Sequence, residues 1–304
     1  MPPLLLPPPP TPTTLAIKRM AKERRDLEEA SNQEEDQDYF VVFQDDNLLQ
    51  FDAYVIAPDT IYRYRLVKLH FEITNEYPLK PPKVTFIQHT GYRIHPNLYP
   101  KGLVCLSILG TWQGEPWAFG MTCHAVLITI RSLLDDEPYK HEPGQNDNPN
   151  FNRLVEYTTW RCLLLDYLAK ETDPAAKAWL DKYVHKNGQA MLRELSKLQE
   201  AAAINKLKTV RSPYASHLPD IVTVDYPAMI KDVQAAISAV AARQEAKSAD
   251  NPSQPPPKRK ASDHQATTKA GASEIDDEQV TAKKRAKTSV AANKQSGPEI
   301  VDLT

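Results

Sequence analysis

The strongest constraint on this chain lies in VKLHFEI, where Val67, Leu69, Phe71 and Ile73 alternate with Lys68, His70 and Glu72. A period of two puts one set of side chains on each face of a strand, so this run predicts a sheet with an apolar face turned to a core. Three further β-prone runs surround it: YFVVF at 39–43, LLQFDAYVI at 48–56 and KVTFI at 83–87. Their short polar or proline-bearing connections suit a four-stranded antiparallel meander. Before the last strand, Pro78, Pro81 and Pro82 fix a stiff bend, because each proline locks its own φ and restricts the residue before it.

Helical patterns flank the strands. In LAIKRMAKERRDLEEA the apolar Ile17, Met20, Ala21 and Leu27 fall along one side, and Lys18, Arg19, Lys22, Arg24 and Arg25 make the rest basic. TCHAVLITIRSLLDD predicts a second helix capped by Thr122, with Val126, Leu127, Ile130, Leu133 and Leu134 as its buried stripe. Further helices are expected from about 152 to 170 and from Pro174 to about 208, with looser helical signals up to 246. Between Gly91 and Gly120 periodicity fades although aromatic and apolar residues stay frequent, which predicts a packed irregular segment. The last 58 residues contain no aromatic side chain, and a composition that cannot bury enough apolar area is expected to stay disordered.

These patterns divide the chain into a proline-rich tail (1–14), an α+β core (15–172), a helical extension (173–246) and a disordered tail (247–304). The opening MPPLLLPPPPTPTT lacks the charged lead-in and apolar length of a secretory signal, and no run is long enough to span a bilayer, so a soluble protein is expected. A net charge of -2 leaves any electrostatic recognition to local patches. Cys105, Cys123 and Cys162 show no paired spacing, which fits a reducing compartment. Neither a zinc site from Cys123, His124 and Cys162 nor a protease built on Cys105 with His95 or His124 has the spacing or the marked base that such chemistry needs.

Cys105 nevertheless has suggestive neighbours. A thiol is useful in acyl transfer when it forms a labile ester and a nearby donor steadies the oxyanion. Asn97 could supply that donor across a turn closed by Gly102, with His95 and Pro96 bracing the turn. The strand order, YPLKPPKVTF, HPN at 95–97, GLVCLSILG, the following tryptophan and the amphipathic helix together resemble ubiquitin-conjugating enzymes over about residues 15–170. HPNLYPKGLVCLSILGTWQGEPW and DDEPYKHEPG are similar to the subgroup with a larger loop after the cysteine.

The resemblance implies the ubiquitin-conjugating fold: an N-terminal helix, the meander, an active-site segment and C-terminal helices. It implies that an activating enzyme, which uses the ATP, passes ubiquitin or a ubiquitin-like protein to Cys105, and that a substrate lysine then displaces the sulfur. No cofactor would be held by this chain. Asn97 would stabilise the oxyanion, His95 would hold the loop, and His141 or Glu142 would occupy the family's acidic or polar gate before a proline. A lysine amine has a pKa of about 10.4, so help with its proton is needed; Asp135, Asp136 and Glu137 fit a charged loop better than that task. Lys18, Arg19 and Lys22 would receive the activating enzyme, while Leu79 and the loop with Trp117, Ala118 and Phe119 would face a ligase. WAFG departs from the family's tryptophan, serine, proline, alanine run, and IAPDTIYRYRLVKL lacks its glycine pair, which leaves the ligase open. A scaffold of the same fold without catalysis, or a carrier for another modifier, is the alternative.

PPPKRKAS at 255–262 and KKRAK at 283–287 are basic clusters suited to a nuclear import receptor, giving an expected nuclear and cytoplasmic distribution. Without interleaved aromatics they are a weak match to nucleic acid. Ile300, Val301 and Leu303, beside Glu299 and Asp302, resemble a SUMO-interacting motif that could add to a sheet edge.

Overall fold

A computed structural model of the chain describes residues 13–33, 37–44, 47–214 and 219–249. The basic clusters and the Ile300, Val301 and Leu303 motif lie outside these residues, as does the expected disordered tail (247–304) from 250 onward, whereas its first three positions, 247–249, continue a helix instead. All the described residues fall within one compact unit, 1–253.

Four strands, β1 (Tyr39–Gln44), β2 (Asn47–Ile56), β3 (Leu66–Glu72) and β4 (Lys83–Ile87), form the antiparallel sheet in the order β1-β2-β3-β4. The register sets Val41 opposite Ala53 and Ala53 opposite Leu69, and it stacks Phe43 on Phe51 at 4.5 Å and Phe51 on Phe71 at 4.6 Å. Cross-strand aromatic rungs of this kind add attraction beyond the area they bury. Against this face lie α1 (Thr14–Ser31), capped by the Thr13 side chain, and α2 (Cys123–Ser132), whose first turn is capped by Thr122.

The buried side of α1 is Ala16, Met20, Glu23, Leu27 and Ser31, while Ile17 and Ala21 face solvent. The apolar pattern placed Ile17 and Ala21 inward, and polar bonding overrides it. The Glu23 carboxylate accepts from the Tyr77 hydroxyl at 2.6 Å and from the Cys123 backbone N–H at 2.8 Å, and Ser31 Oγ accepts from the Val41 N–H at 3.0 Å. Buried polar groups with their bonds made can occupy a helix face as firmly as aliphatic ones.

The sheet's second face is also covered, which strict alternation did not foretell. A helix runs from Pro149 to Lys170, α3 (Pro149–Trp160) passing through a widened turn at Arg161–Leu165 into α4 (Asp166–Lys170). The chain then turns into α5 (Pro174–Ile204). Trp179 of α5 stacks on Phe40 at 4.6 Å and lies beside Tyr54, while Glu171 binds Lys68 at 2.7 Å and accepts from the Tyr54 hydroxyl. Ala176 and Leu180 of α5 join the main hydrophobic cluster directly.

Beyond α5 the looser helical signals correspond to one further helix, set off by a hairpin that they did not indicate. The α5 helix ends at Ile204, and a two-stranded hairpin, β5 (Thr209–Arg211) with β6 (Ile221–Thr223), precedes α6 (Tyr226–Ala249). Strands of three residues are too short for periodicity to reveal. A second cluster fastens the extension, with Trp160 and Leu164 packed among Val184, Met191, Leu195, Tyr226 and Val233. Gly188 permits the close passage of α6, since a Cβ there would meet Ile237 at 3.0 Å. Arg243 grips Asp181 with two bonds of 2.6 and 3.0 Å. No helix among the described residues is long and apolar enough to cross a membrane.

Because Leu180 is buried in the same cluster as the sheet, Leu180→Ala is expected to cost about 2–5 kcal/mol, with core and extension unfolding together. Urea unfolding followed by fluorescence and circular dichroism tests this; two separate transitions, or a cost below about 1 kcal/mol, would contradict a shared core.

Candidate active site

The irregular segment after β4 is folded by backbone bonds in place of periodicity. Phe86 N–H donates to Gly102 O at 2.8 Å, Tyr99 N–H to Leu103 O at 2.9 Å, and Gly102 N–H to Tyr99 O at 2.9 Å. Gly102 has φ of 98°, and a Cβ there would stand 2.8 Å from Thr85 Cγ2, so the turn needs glycine for both conformation and space.

This turn brings Asn97 and Cys105 together. Cys105 N–H donates to Asn97 O at 2.8 Å, and Asn97 Nδ2 donates to the Cys105 carbonyl at 2.6 Å. Asn97 N–H in turn donates to His95 Nδ1 at 3.0 Å. An amide nitrogen carries two hydrogens, so Asn97 keeps a second donor for use next to this cysteine.

His95 is fully buried, and its ring centroid is 5.0 Å from that of His141. Burial, reinforced by the neighbouring His141, pushes the His95 pKa down to about 3, so the ring stays neutral and serves as an acceptor within the turn. This suits a brace and not a proton carrier.

Cys105 is only 7% exposed, less open than a working sulfur was expected to be. Its neighbours explain why. The thiol reaches the Thr111 carbonyl at 3.4 Å, and the Thr111 hydroxyl accepts from Leu106 N–H at 2.8 Å while donating to Val104 O at 2.7 Å, so the chain after the cysteine folds back over it. Yet Cys105 stays outside the hydrophobic cluster that encloses the fully buried Cys123 and Cys162. It occupies a rim. Desolvation raises its pKa, Arg93 pulls it down and Glu142 pushes it up.

Those two charges form the polar wall of the site. Arg93, itself 7% exposed, donates from Nε to His95 O at 3.2 Å and from a terminal nitrogen to Pro96 O, and its guanidinium lies 3.5 Å from the Tyr99 ring centroid. The same terminal nitrogen stands 3.9 Å from Glu142 Oε2. Sequence reading left open whether His141 or Glu142 faces the cysteine. His141 Nε2 shares a 2.8 Å bond with Asp135 Oδ2, whereas Glu142 is the group whose field reaches the thiol. Asp136 accepts from Ile61 N–H at 2.9 Å and Glu137 pairs with Lys140, both as parts of a charged loop.

The expected partner surfaces are spread more widely. Lys18 and Lys22 are exposed on α1, but Arg19 is engaged, donating to Glu23 at 2.5 Å and to Met121 O at 2.8 Å. Trp117 Nε1 donates to Pro78 O at 2.8 Å, which joins the proline bend to the 117–120 loop and leaves Leu79 68% and Phe119 55% exposed beside the open Ala118. Arg93, Thr111 and Tyr214, whose hydroxyl donates to Glu142 Oε2 at 2.6 Å, escaped the sequence reading. Arg93 sits two residues before the HPN turn and could have been suspected as its brace; nothing in the sequence links 214 to 142. Among the described residues no group of histidine, cysteine and carboxylate side chains could hold a metal ion.

The family model for ubiquitin-conjugating enzyme matches residues 19–153. The chain is 34% identical over 149 residues to ubiquitin-conjugating enzyme E2 Z of Danio rerio, a match covering 46% of this chain and 45% of that one. It is 32% identical over 160 residues to ubiquitin-conjugating enzyme E2 1 of Caenorhabditis elegans, covering 52% of this chain and 74% of the relative. Against ubiquitin-conjugating enzyme 15 of Arabidopsis thaliana the identity is 33% over 120 residues, with shares of 38% and 71%. The chain thus spans less than half the length of the E2 Z relatives.

The neutral, buried His95 makes stability pH-dependent in a definite direction. Its folded pKa of about 3 lies below the ordinary 6.5, so its contribution is complete above about 6.5 and is lost as pH falls from there toward 3. Between pH 7 and pH 5 this one group is expected to remove about 2 kcal/mol. Denaturant unfolding at the two pH values should show a weaker dependence in His95→Asn; an unchanged dependence would contradict the assignment.

Proposed function

The chain belongs to the ubiquitin-conjugating enzyme family, and on that premise we propose that it accepts ubiquitin as a thioester on Cys105 and transfers it to a lysine amine of a protein substrate. The supporting observation is the reciprocal pair of bonds between Asn97 and Cys105, which fixes an amide donor beside a thiol at the rim of the core.

In the proposed cycle an activating enzyme uses ATP to convert the C-terminal carboxylate of ubiquitin into an activated acyl group, and Cys105 sulfur attacks its carbonyl carbon: a C–S bond forms, the bond to the activating group breaks, and the thiol proton leaves with that group. The lysine nitrogen then attacks the thioester carbon. A C–N bond forms, the C–S bond breaks with its electron pair returning to sulfur, and the amine proton leaves. Asn97 offers its second amide hydrogen to the oxyanion of the tetrahedral intermediate, a type of contribution worth about 3–4 kcal/mol of transition-state stabilisation. Glu142 accepts the amine proton. His95 and Thr111 hold the chain on either side of the cysteine, and the reaction asks no cofactor of this chain.

The same reading gives the exposed α1 lysines to the activating enzyme and the Leu79 and Phe119 surface to a ligase. The tail clusters at 255–262 and 283–287 would engage an import receptor, placing the protein in nucleus and cytoplasm, and Ile300, Val301 and Leu303 would bind SUMO.

Incubation with activating enzyme, ATP and ubiquitin should give a thiol-sensitive adduct that is lost in Cys105→Ala. Asn97→Ala should still charge but discharge to lysine about 100-fold more slowly. No adduct with any modifier, alongside retained partner binding, would make the chain a scaffold. Charging with another ubiquitin-like protein in preference to ubiquitin would reassign the cargo.

A further inference from the structure

Tyr214 lies well outside the region that matches the family, which ends at 153, yet its hydroxyl donates to Glu142 Oε2 at 2.6 Å. Its ring stands edge-on to Phe151 at 5.6 Å and to Tyr139 at 6.0 Å, and the Arg93 guanidinium lies 4.5 Å from its centroid. One side chain of the extension thus touches both charged groups whose fields reach the Cys105 thiol. We infer that Tyr214 is a positioning residue, supplied by the C-terminal extension, that holds the Glu142 carboxylate in place to receive the proton of the incoming lysine amine. This rests on the acyl-transfer reading above.

The anchoring is structural as well as polar. Tyr214 N–H donates to Ser212 Oγ at 3.1 Å, Ser212 N–H donates to Asp220 O at 2.7 Å, and Val210 of β5 is buried in the main hydrophobic cluster. The hairpin therefore carries Tyr214 to the site as a fixed part of the core. Burial, together with the bond to Glu142, raises the tyrosine pKa, so its hydroxyl remains a donor throughout the working pH range.

Glu142 sits directly after a short turn, Pro138–His141, and is itself only half-buried. A glutamate so placed samples several rotamers, and holding it in one reduces the entropy lost when the amine arrives. The hydroxyl engages one carboxylate oxygen, and the other oxygen of the group can accept. During transfer the amine nitrogen forms the C–N bond, the thioester pair returns to Cys105 sulfur, and the proton passes to Glu142 and on to solvent. The charged and titratable groups set against Glu142 are Arg93, Cys105 and Tyr214, with Tyr139 packed on Tyr214 and the His141 and Asp135 pair alongside.

The test uses the full chain charged with ubiquitin by activating enzyme, with ATP then removed and free lysine added. Tyr214→Phe keeps the ring and its packing and removes only the donor. Discharge at saturating lysine is expected to slow about five- to tenfold, with the lysine concentration for half-maximal rate unchanged within about twofold, because the donor acts on the transfer step and not on amine binding. In a Glu142→Gln background, Tyr214→Phe should add less than about a twofold change, since both substitutions act on the same group. A Tyr214→Phe enzyme within twofold of wild type at saturating lysine, or one slowed only through a raised half-maximal lysine concentration, would overturn the inference alone, as would an equal further loss in the Glu142→Gln background. Failure of the wild type to charge on Cys105 would overturn the acyl-transfer reading and this inference together.

Discussion

Two hydrogen bonds between residues eight apart, Cys105 N–H to Asn97 O and Asn97 Nδ2 to Cys105 O, set the geometry on which the rest of the site depends. They close the turn at Gly102, fix the amide next to the thiol, and place His95 where its Nδ1 can accept from the Asn97 backbone. Because the same turn pairs with β4 through the Phe86 bond to Gly102, the sheet's rigidity passes into the site. A catalytic group mounted on a packed irregular segment needs this kind of support if its position is to be held within a fraction of an ångström.

The environment of Cys105 balances opposing effects. Reactive cysteines usually owe a lowered pKa to an electropositive setting. Here Arg93 supplies such a pull, yet desolvation beneath the Thr111 turn outweighs it and Glu142 acts with the desolvation. A thiol kept mainly protonated is shielded from indiscriminate alkylation and oxidation, and its turnover depends on an electrophile delivered in the correct orientation. In the proposed transfer the acyl group would be exchanged through positioning by Asn97 and proton acceptance by Glu142, with ionisation of the resting thiol a smaller part of the rate.

Much of the core could be read from residues alone because its signals are local. The alternation of Val67, Leu69 and Phe71, the Thr122 cap and the proline bend each state their structure within a few positions. The failures come from interactions that span the chain. Ile17 and Ala21 looked inward because the bonds that bury Glu23 and Ser31 cannot be seen in an apolar pattern. The second covered face of the sheet depends on Trp179 meeting Phe40, and the hairpin at 209–223 depends on Val210 finding the core, neither of which leaves a periodic trace. Glu142 could be proposed from its place before a proline, but its separation from His141 needed Asp135, Arg93 and Tyr214 in three dimensions.

The central claim is that Cys105 occupies the rim of the core, reachable but desolvated, while Cys123 and Cys162 do not. The most direct measurement is the pH dependence of iodoacetamide labelling in the folded chain, with each cysteine resolved by peptide mass mapping. The account predicts labelling at Cys105 alone, with an inflection above the ordinary thiol pKa. Labelling of all three at similar rates, no labelling of Cys105 in the folded chain, or an inflection well below the ordinary value would contradict it.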